Sequence, residues 1–361
     1  MKSSRVQPST ALLLSLVIGL TLLGTLFVFQ ASVPESLQLF GEPYAIFKQH
    51  LLGLLLGWIA FGVGLVIPAK WWKHLALPLI VAGVVGLLLV FIPGVGVELN
   101  GASRWISVAG LTVQPVEFFK FALVTYLAVW LPKQRGLLLF SGIVAIPAIL
   151  MLLQPDLGSL LLLLAIAGGM YFLSGGSLKS LGVLVASMIP VLALAVYLAP
   201  YRMRRLTTFF DPESDPLGAS FHIRQIILAL GRGGWSGQGI GNSSQKYAFI
   251  PELSTDSIFA IVGEELGFIG SVLIIGLFIA LSVTMYRMLQ ALRDQRELQL
   301  LGYGILIWIS VQTLLNLGAV VALVPLTGIP LPFFSYGRSS LIMVLFATGV
   351  FLSLQKSLKE T

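Results

Sequence analysis

The chain has 361 residues, 57% hydrophobic and only 10% charged, with a formal net charge of +7. So little charge does not suit a soluble domain, and the apolar residues fall in runs of about 20, the length that spans a bilayer as a helix. No cysteine is present, which excludes disulfides and thiolate metal sites, and the basic excess points to membrane topology and anionic lipids rather than to nucleic acid.

Hydropathy predicts an all-α polytopic membrane protein with ten transmembrane helices, forming one integral membrane domain over residues 1–361. The spans fall near 10–31, 44–67, 71–92, 115–132, 137–153, 157–174, 178–199, 256–286, 298–324 and 335–355. The first is too long for a signal-peptide core and reads as a retained helix. The eighth exceeds what a bilayer requires, which predicts tilt or projection. A long segment, 200–255, joins the seventh and eighth spans.

Basic residues set the orientation. With the N-terminus inside, inner segments carry Lys70, Lys73, Lys133, Lys179, Arg287, Arg293, Arg296 and Lys356, among others. The short outer loops carry Lys48 and Arg104, with Lys120 at a helix start. This positive-inside pattern places both termini in the cytoplasm, and segment 200–255 outside, where long basic loops are tolerated.

The outer segments hold the polar residues. The first, 32–43, reads as a short loop. The next, 93–114, also reads as a loop and carries Arg104 and Trp105 before Gln114-Pro-Val-Glu-Phe-Phe-Lys120. Pro115 suits a first helical turn, and Glu117 and Lys120 share one helix face. They are read either as a surface ion pair or as a functional pair at a membrane helix end. Asp156, in Gln154-Pro-Asp156, either caps the sixth helix or faces outward functionally.

Segment 200–255 opens Tyr201-Arg-Met-Arg-Arg205 and contains Phe221-His-Ile-Arg-Gln-Ile-Ile-Leu-Ala-Leu230, whose apolar spacing fits an amphipathic helix lying along the interface. A glycine-rich stretch follows, with glycines at 231, 233, 234, 237, 239 and 241, ending in Gln245 and Lys246. Such glycines let backbone approach a ligand closely, and the flanking Arg and Lys suit phosphate. The same loop can also be read as a contact for anionic lipid headgroups. The segment ends Pro251-Glu-Leu-Ser-Thr-Asp256, where an apolar helix begins. A helix N-terminus favours an ionised Asp256. That residue is read either as an N-cap or as a functional carboxylate, with Glu252 and Thr255 beside it. Before the tenth span comes a proline-rich stretch, 325–340, containing Ser335; it is either a re-entrant turn or a wall of an outward cavity.

Five stretches, in this order, resemble the SEDS family (shape, elongation, division and sporulation), the lipid II polymerases that include FtsW, RodA and SpoVE. They are Asn100-Gly-Ala-Ser-Arg-Trp-Ile106, Gln114-Pro-Val-Glu-Phe-Phe-Lys120, Gln154-Pro-Asp-Leu-Gly158, the segment through Asp256, and Pro330-Leu-Pro-Phe-Phe-Ser-Tyr-Gly337. The match covers nearly the whole chain. Tyr201-Arg-Met-Arg-Arg205 and Gly241-Asn-Ser-Ser-Gln-Lys246 look more like the division branch than the elongation branch. The family's acid in its Thr-Asp motif falls on Asp256, and the Glu and Lys of its Gln-Pro-Ser-Glu motif fall on Glu117 and Lys120. The chain departs from the pattern at Val116 for Ser, at Ser254 and Ser257 for the His and Phe flanking Thr-Asp, and at Arg338 for a Gly.

The resemblance implies a glycosyltransferase in the bacterial cytoplasmic membrane that polymerises lipid II on the outer face, with a class B penicillin-binding protein as crosslinking partner. Asp256 is then the general base toward the acceptor hydroxyl. Arg104, Lys120, Arg202, Arg205 and Lys246 are the candidates to stabilise the departing pyrophosphate. Gln245, Glu252, Thr255 and Ser335 complete the candidate substrate contacts. Asp156 and Glu117 either hold a divalent cation, Mg or Mn, or orient the arginines. A lipid II flippase is the competing class. It needs charge along both halves of the membrane, which only Glu264 and Glu265 supply here. A binding scaffold is a third class, one that does not need so polar an outer loop.

Overall fold

The computed structural model describes residues 8–99, 102–108, 111–133, 136–211, 220–247 and 254–357. In chain order the elements are α1 (Pro8–Phe40), α2 (Ala45–Val66), α3 (Trp71–Leu89), strands β1 (Gly96–Leu99), β2 (Ala102–Val108) and β3 (Leu111–Val113), α4 (Pro115–Trp130), α5 (Leu137–Leu153), α6 (Leu157–Leu173), α7 (Leu178–Tyr197), α8 (Pro200–Phe210), α9 (Phe221–Gly233), α10 (Ile258–Leu289), α11 (Arg296–Val320) and α12 (Arg338–Lys356). Each expected span coincides with a helix. Seven of these helices are long and apolar enough to cross a membrane, whereas α4, α5 and α6 have 16, 17 and 17 residues. The protein is a multi-pass, predominantly α-helical membrane protein.

Two expected loops are structured. The stretch 32–43 is largely helical, because α1 continues through Pro34 to Phe40. Ser36 closes the turn into α2: its hydroxyl donates to the Glu42 carbonyl at 2.6 Å and accepts from the Ile46 N–H at 3.3 Å. The stretch 93–114 forms an antiparallel sheet of order β1-β2-β3, with Val97 opposite Trp105 and Ile106 opposite Val113. Its Val, Ile, Thr and Trp residues favour a pleated surface, a pattern too short to stand out beside the membrane spans.

The chain divides into two compact units. The first comprises Met1–Trp58, Thr208–Ala291 and Gln312–Leu345; the second comprises Ile59–Thr207, Leu292–Val311 and Phe346–Thr361. In the first unit α10 is the spine, with α1 and α9 packed on it. The apolar face of α9, Ile223, Ile226 and Ala229, is buried. Alpha-helix α1 meets the chain before α12 so closely that a Cβ at Gly24 would lie 2.5 Å from the Phe334 Cα, and Phe27 stacks on Phe334 with centroids 5.7 Å apart. In the second unit α3 and α4 make the closest pair. Trp72, Phe121 and Phe346 meet edge to face, with centroids 4.9 to 6.0 Å apart.

The eighth expected span does not simply run long. Helix α10 breaks at Gly267, where φ is 66° and ψ is −163°. Only glycine takes such a backbone without strain. The break meets the glycine-rich stretch face to face: Phe268 N–H donates to Gly234 O at 2.9 Å and Ile269 N–H to Trp235 O at 3.2 Å. Gln238 and Gly239 N–H groups donate to the Glu264 and Glu265 carbonyls at 3.0 Å each. A Cβ at Gly233 would fall 1.9 Å from the Gly263 carbonyl oxygen, and one at Gly237 would fall 2.1 Å from that of Glu265. The glycines expected to admit a ligand thus admit the backbone of α10 at these two positions.

Gly24→Ala is expected to destabilise the protein by about 1–3 kcal/mol, since backbone atoms and not a movable side chain occupy the space. Gly19→Ala, on the same helix with nothing within 4 Å of its added Cβ, should be neutral or slightly stabilising. Apparent melting temperatures of the two variants in one detergent compare them directly.

Candidate functional site

Within the first unit, the polar residues gather on the turn before α10. The helix begins at Ile258 and its N-cap position falls on Ser257, so Asp256 lies one residue outside the cap. Asp256 is 8% exposed. Ser257 donates its hydroxyl to Asp256 Oδ1 at 3.3 Å, and His222 of α9 sits with Nε2 2.8 Å from the Ser257 Oγ. Three separate elements hold this turn. Asn316 of α11 donates to the Asp256 carbonyl at 2.7 Å and to the Ile329 carbonyl at 2.8 Å. Ser254 donates its hydroxyl to Glu35 of α1 at 2.7 Å, and its carbonyl accepts from the Tyr336 N–H at 2.8 Å. Tyr336 in turn donates to Gln49 of α2 at 2.9 Å.

Glu264, one and a half turns into α10, anchors the end of the glycine-rich stretch. Its carboxylate accepts from both the hydroxyl and N–H of Ser244, at 3.0 and 3.2 Å, from the Gln245 N–H at 3.3 Å, and from the Ser243 hydroxyl. Glu265 accepts from the Ser243 N–H at 3.4 Å. Gln245 is buried as a result, while Lys246 donates to the Gly241 carbonyl and lies 5.5 Å from the Tyr247 ring centroid. Ser335 accepts from the Leu331 N–H at 2.9 Å and so folds its own proline-rich turn. Arg338 begins α12. Its stem lies against Gly53 of α2, where a Cβ would come within 3.0 Å of the arginine Cγ. Thr255 is half-buried beside Asp256, and Glu252 lies outside the described residues.

Within the second unit, two arginines converge on the turn between α5 and α6. Arg104 of β2 donates to the Gln154 carbonyl at 3.3 Å and to the Pro155 carbonyl, and its guanidinium is 3.9 Å from Asp156. Arg202 of α8 donates to the Ala195 carbonyl at 2.9 Å and to the Leu152 carbonyl. Burial, and then the positive charge of Arg104, lower the Arg202 pKa from its usual value. Asp156 caps α6, accepting from the Ser159 N–H at 3.1 Å, so capping and arginine pairing coexist there. Arg205 lies on α8, half-buried.

Glu117 and Lys120 pair at 2.7 Å inside the protein, with Lys120 only 1% exposed and its ammonium 5.0 Å from the Trp308 ring centroid. The surface-pair reading is therefore excluded. The carboxylates offered for a divalent cation do not fit one: Glu117 faces the Lys120 ammonium, and Asp156 holds a helix N-terminus and Arg104. Among the described residues no group of three or more His, Asp and Glu could hold a metal ion.

Reading the sequence alone missed Asn316, Glu35 and the partner role of His222. A signal was available for the first. Asn316 and Gln312 are amide side chains one turn apart in an apolar span, where unpaired polar groups are costly. Gln312 donates to the Pro330 carbonyl at 2.9 Å. Nothing local distinguishes Glu35, whose partner lies 219 residues away.

Enclosed aspartates at two helix starts, Asp156 and Asp256, mark polar centres in a multi-pass membrane protein, where such groups by default signal a function. The chain belongs to the FtsW, RodA and SpoVE family of cell cycle proteins, whose family model matches residues 10–360. Its relatives include proteins named "Probable peptidoglycan glycosyltransferase FtsW". The one from Aeromonas salmonicida is 37% identical over 96% of this chain and 90% of its own length. That from Nitrosococcus halophilus is 39% identical over 94% and 90%. Among solved structures, a chain of a peptidoglycan synthase complex, described as coordinating polymerization and crosslinking, superposes with TM-score 0.78 at 28% identity, covering 97% of this chain and 98% of that one. The rod shape determining protein RodA of Thermus thermophilus superposes with TM-score 0.70 at 27% identity, covering 96% of each.

The buried pair gives a stability test. Glu117→Ala should cost about 3–5 kcal/mol, because it removes the carboxylate from an ammonium that stays enclosed. Glu117→Leu combined with Lys120→Met should recover most of that loss, as apolar replacement of a whole buried pair is often close to neutral. Thermal unfolding of the three proteins distinguishes a structural pair from one kept for turnover alone.

Proposed function

We propose that this chain is a peptidoglycan glycosyltransferase that joins lipid II units into glycan at the outer face of the bacterial cytoplasmic membrane, with Asp256 as the general base. The observation that carries the reading is the enclosed Asp256 carboxylate on a turn fixed from three other elements. Such fixing is what proton abstraction requires, since a base must stand within hydrogen-bond reach of the hydroxyl it deprotonates. The names of relatives more than a third identical over nearly their full length support the reaction class.

In the proposed reaction the acceptor sugar's 4-hydroxyl loses its proton to Asp256 and attacks C1 of the growing chain. The polyprenyl pyrophosphate leaves from the opposite side, and the anomeric centre inverts. One carboxylate suffices, because the leaving group is already activated and no covalent glycosyl intermediate is needed. Lys246 supplies positive charge in the unit that carries Asp256, and the Arg104 and Arg202 pair is a second cationic cluster suited to an anion. The positive-inside pattern supports cytoplasmic termini. The flippase reading loses its main support, since Glu264 bonds to Ser243, Ser244 and Gln245 rather than standing open along a path.

A class B penicillin-binding protein is the proposed partner. The support is the likeness to a chain of a complex described as coordinating polymerization with crosslinking.

Asp256→Asn preserves size and should keep the fold while reducing glycan synthesis on the order of 10²–10⁴-fold. Purified protein supplied with labelled lipid II, and assayed for both glycan product and vesicle crossing, provides the check. Near-normal polymerisation by the Asn variant removes Asp256 as the base. Crossing without product from the wild type replaces the reading with transport.

A further inference from the structure

His222 is the second residue of α9, and α9 is seated on α10 by its buried apolar face and by the backbone contact of Gly233 with Gly263. That seating puts His222 Nε2 2.8 Å from Ser257 Oγ. Ser257 is fully buried and has one hydroxyl proton, which it donates to Asp256 Oδ1. Since that proton is committed to the carboxylate, the Ser257 oxygen faces the ring as an acceptor, and the ring nitrogen facing it is an N–H donor. The three groups form one directed chain, from His222 through Ser257 to Asp256.

We infer that His222 and Ser257 are positioning residues that act through Asp256: their donor chain fixes Oδ1 and holds the carboxylate in its ionised form. The inference rests on Asp256 being the base. Hydrogen bonds donated to a carboxylate favour its charged form. Removing the chain therefore makes the carboxylate easier to protonate, and the acid limb of the rate profile moves to higher pH. No proton is consumed or released by the chain itself; it remains a set of donors throughout the cycle.

The other charged groups on the packed elements have their own partners or lie apart. Arg232 of α9 donates to Ser244, and Arg224 lies two residues beyond His222. On α10, Glu264 holds Ser243 to Gln245, Glu265 accepts from Ser243, and Arg287 is in the last turn. Lys246 donates to Gly241, Glu35 of α1 accepts from Ser254, and Tyr336 and Arg338 belong to the chain entering α12.

The test is the pH dependence of kcat for purified full-length protein on lipid II, with Ser257→Ala, His222→Leu and His222→Gln. Ser257→Ala and His222→Leu should each move the acid limb upward by about one pH unit, a tenfold change in proton affinity, as expected for loss of a charge-assisted bond. KM should be little changed. The double variant should shift no further than either single, because both remove one chain. His222→Gln keeps an N–H donor and should restore the wild-type limb. An unshifted limb in Ser257→Ala and His222→Leu overturns the inference, as does a Gln variant indistinguishable from Leu. Should His222→Leu fail to fold, Ser257→Ala and His222→Gln still decide. Infrared titration of the Asp256 carboxyl, assigned by difference from Asp256→Asn, reads the same shift without turnover. An active Asn variant would then defeat the base assignment separately from the donor chain.

Discussion

The placing of the glycine-rich stretch depends on a single break in α10. A membrane helix that stops its hydrogen-bond ladder exposes N–H and C=O groups, and in a low-dielectric setting each unpaired group is costly. At Gly267 these groups do not go unpaired. They bond to the main chain of the preceding glycine-rich stretch, with the Gly233 and Gly237 backbones close enough that a methyl group would collide. The carboxylate of Glu264 adds the Ser243 to Gln245 corner to the same assembly. The break thus recruits a stretch that would otherwise be an ordinary hydrophilic loop, and gives it a fixed place beside the start of the helix.

The fold was legible in the sequence where a local pattern alone sets the element. Spans such as α2 and α3 declare themselves because bilayer crossing needs a long apolar run and little else. The helix Phe221–Gly233 showed through its apolar spacing. The candidate base was visible because an acid at the mouth of an apolar run is rare enough to notice. The sheet at 96–113 was not, since strands of four, seven and three residues carry too short an alternation to read beside Gly and Asn. Nor was the role of the glycines. Composition says that backbone will come close to something, and the partner can be a ligand or another helix; here it was Gly263 and Glu265.

Charge was legible as a set of positions but not as a set of partners. Glu117 and Lys120 are three apart on one helix face, which announces a pair, yet their depth depends on Trp308 and on helices that local spacing cannot place. Asp156 was open between a cap and an outward-facing functional carboxylate; it caps α6 and also lies 3.9 Å from the Arg104 guanidinium. Arg104 was expected to face an anion. Its guanidinium already spans two carbonyls and a carboxylate, so any further ligand meets a cation whose orientation is set in advance.

The turn that bears Asp256 also has a history written into its contacts. Its supports come from Glu35, near the beginning of the chain, and from Asn316 and Tyr336, close to its end. Contacts so far apart in sequence form only after the intervening chain has been made and the loops closed. During synthesis, α10 enters the membrane before α11 and the chain leading to α12 exist. A nascent protein halted there would carry its aspartate on an untethered turn, without its amide and tyrosine supports. The geometry of this turn is therefore completed only after α11 and the chain leading to α12 have been made, and a chain truncated ahead of α11 would lack those supports.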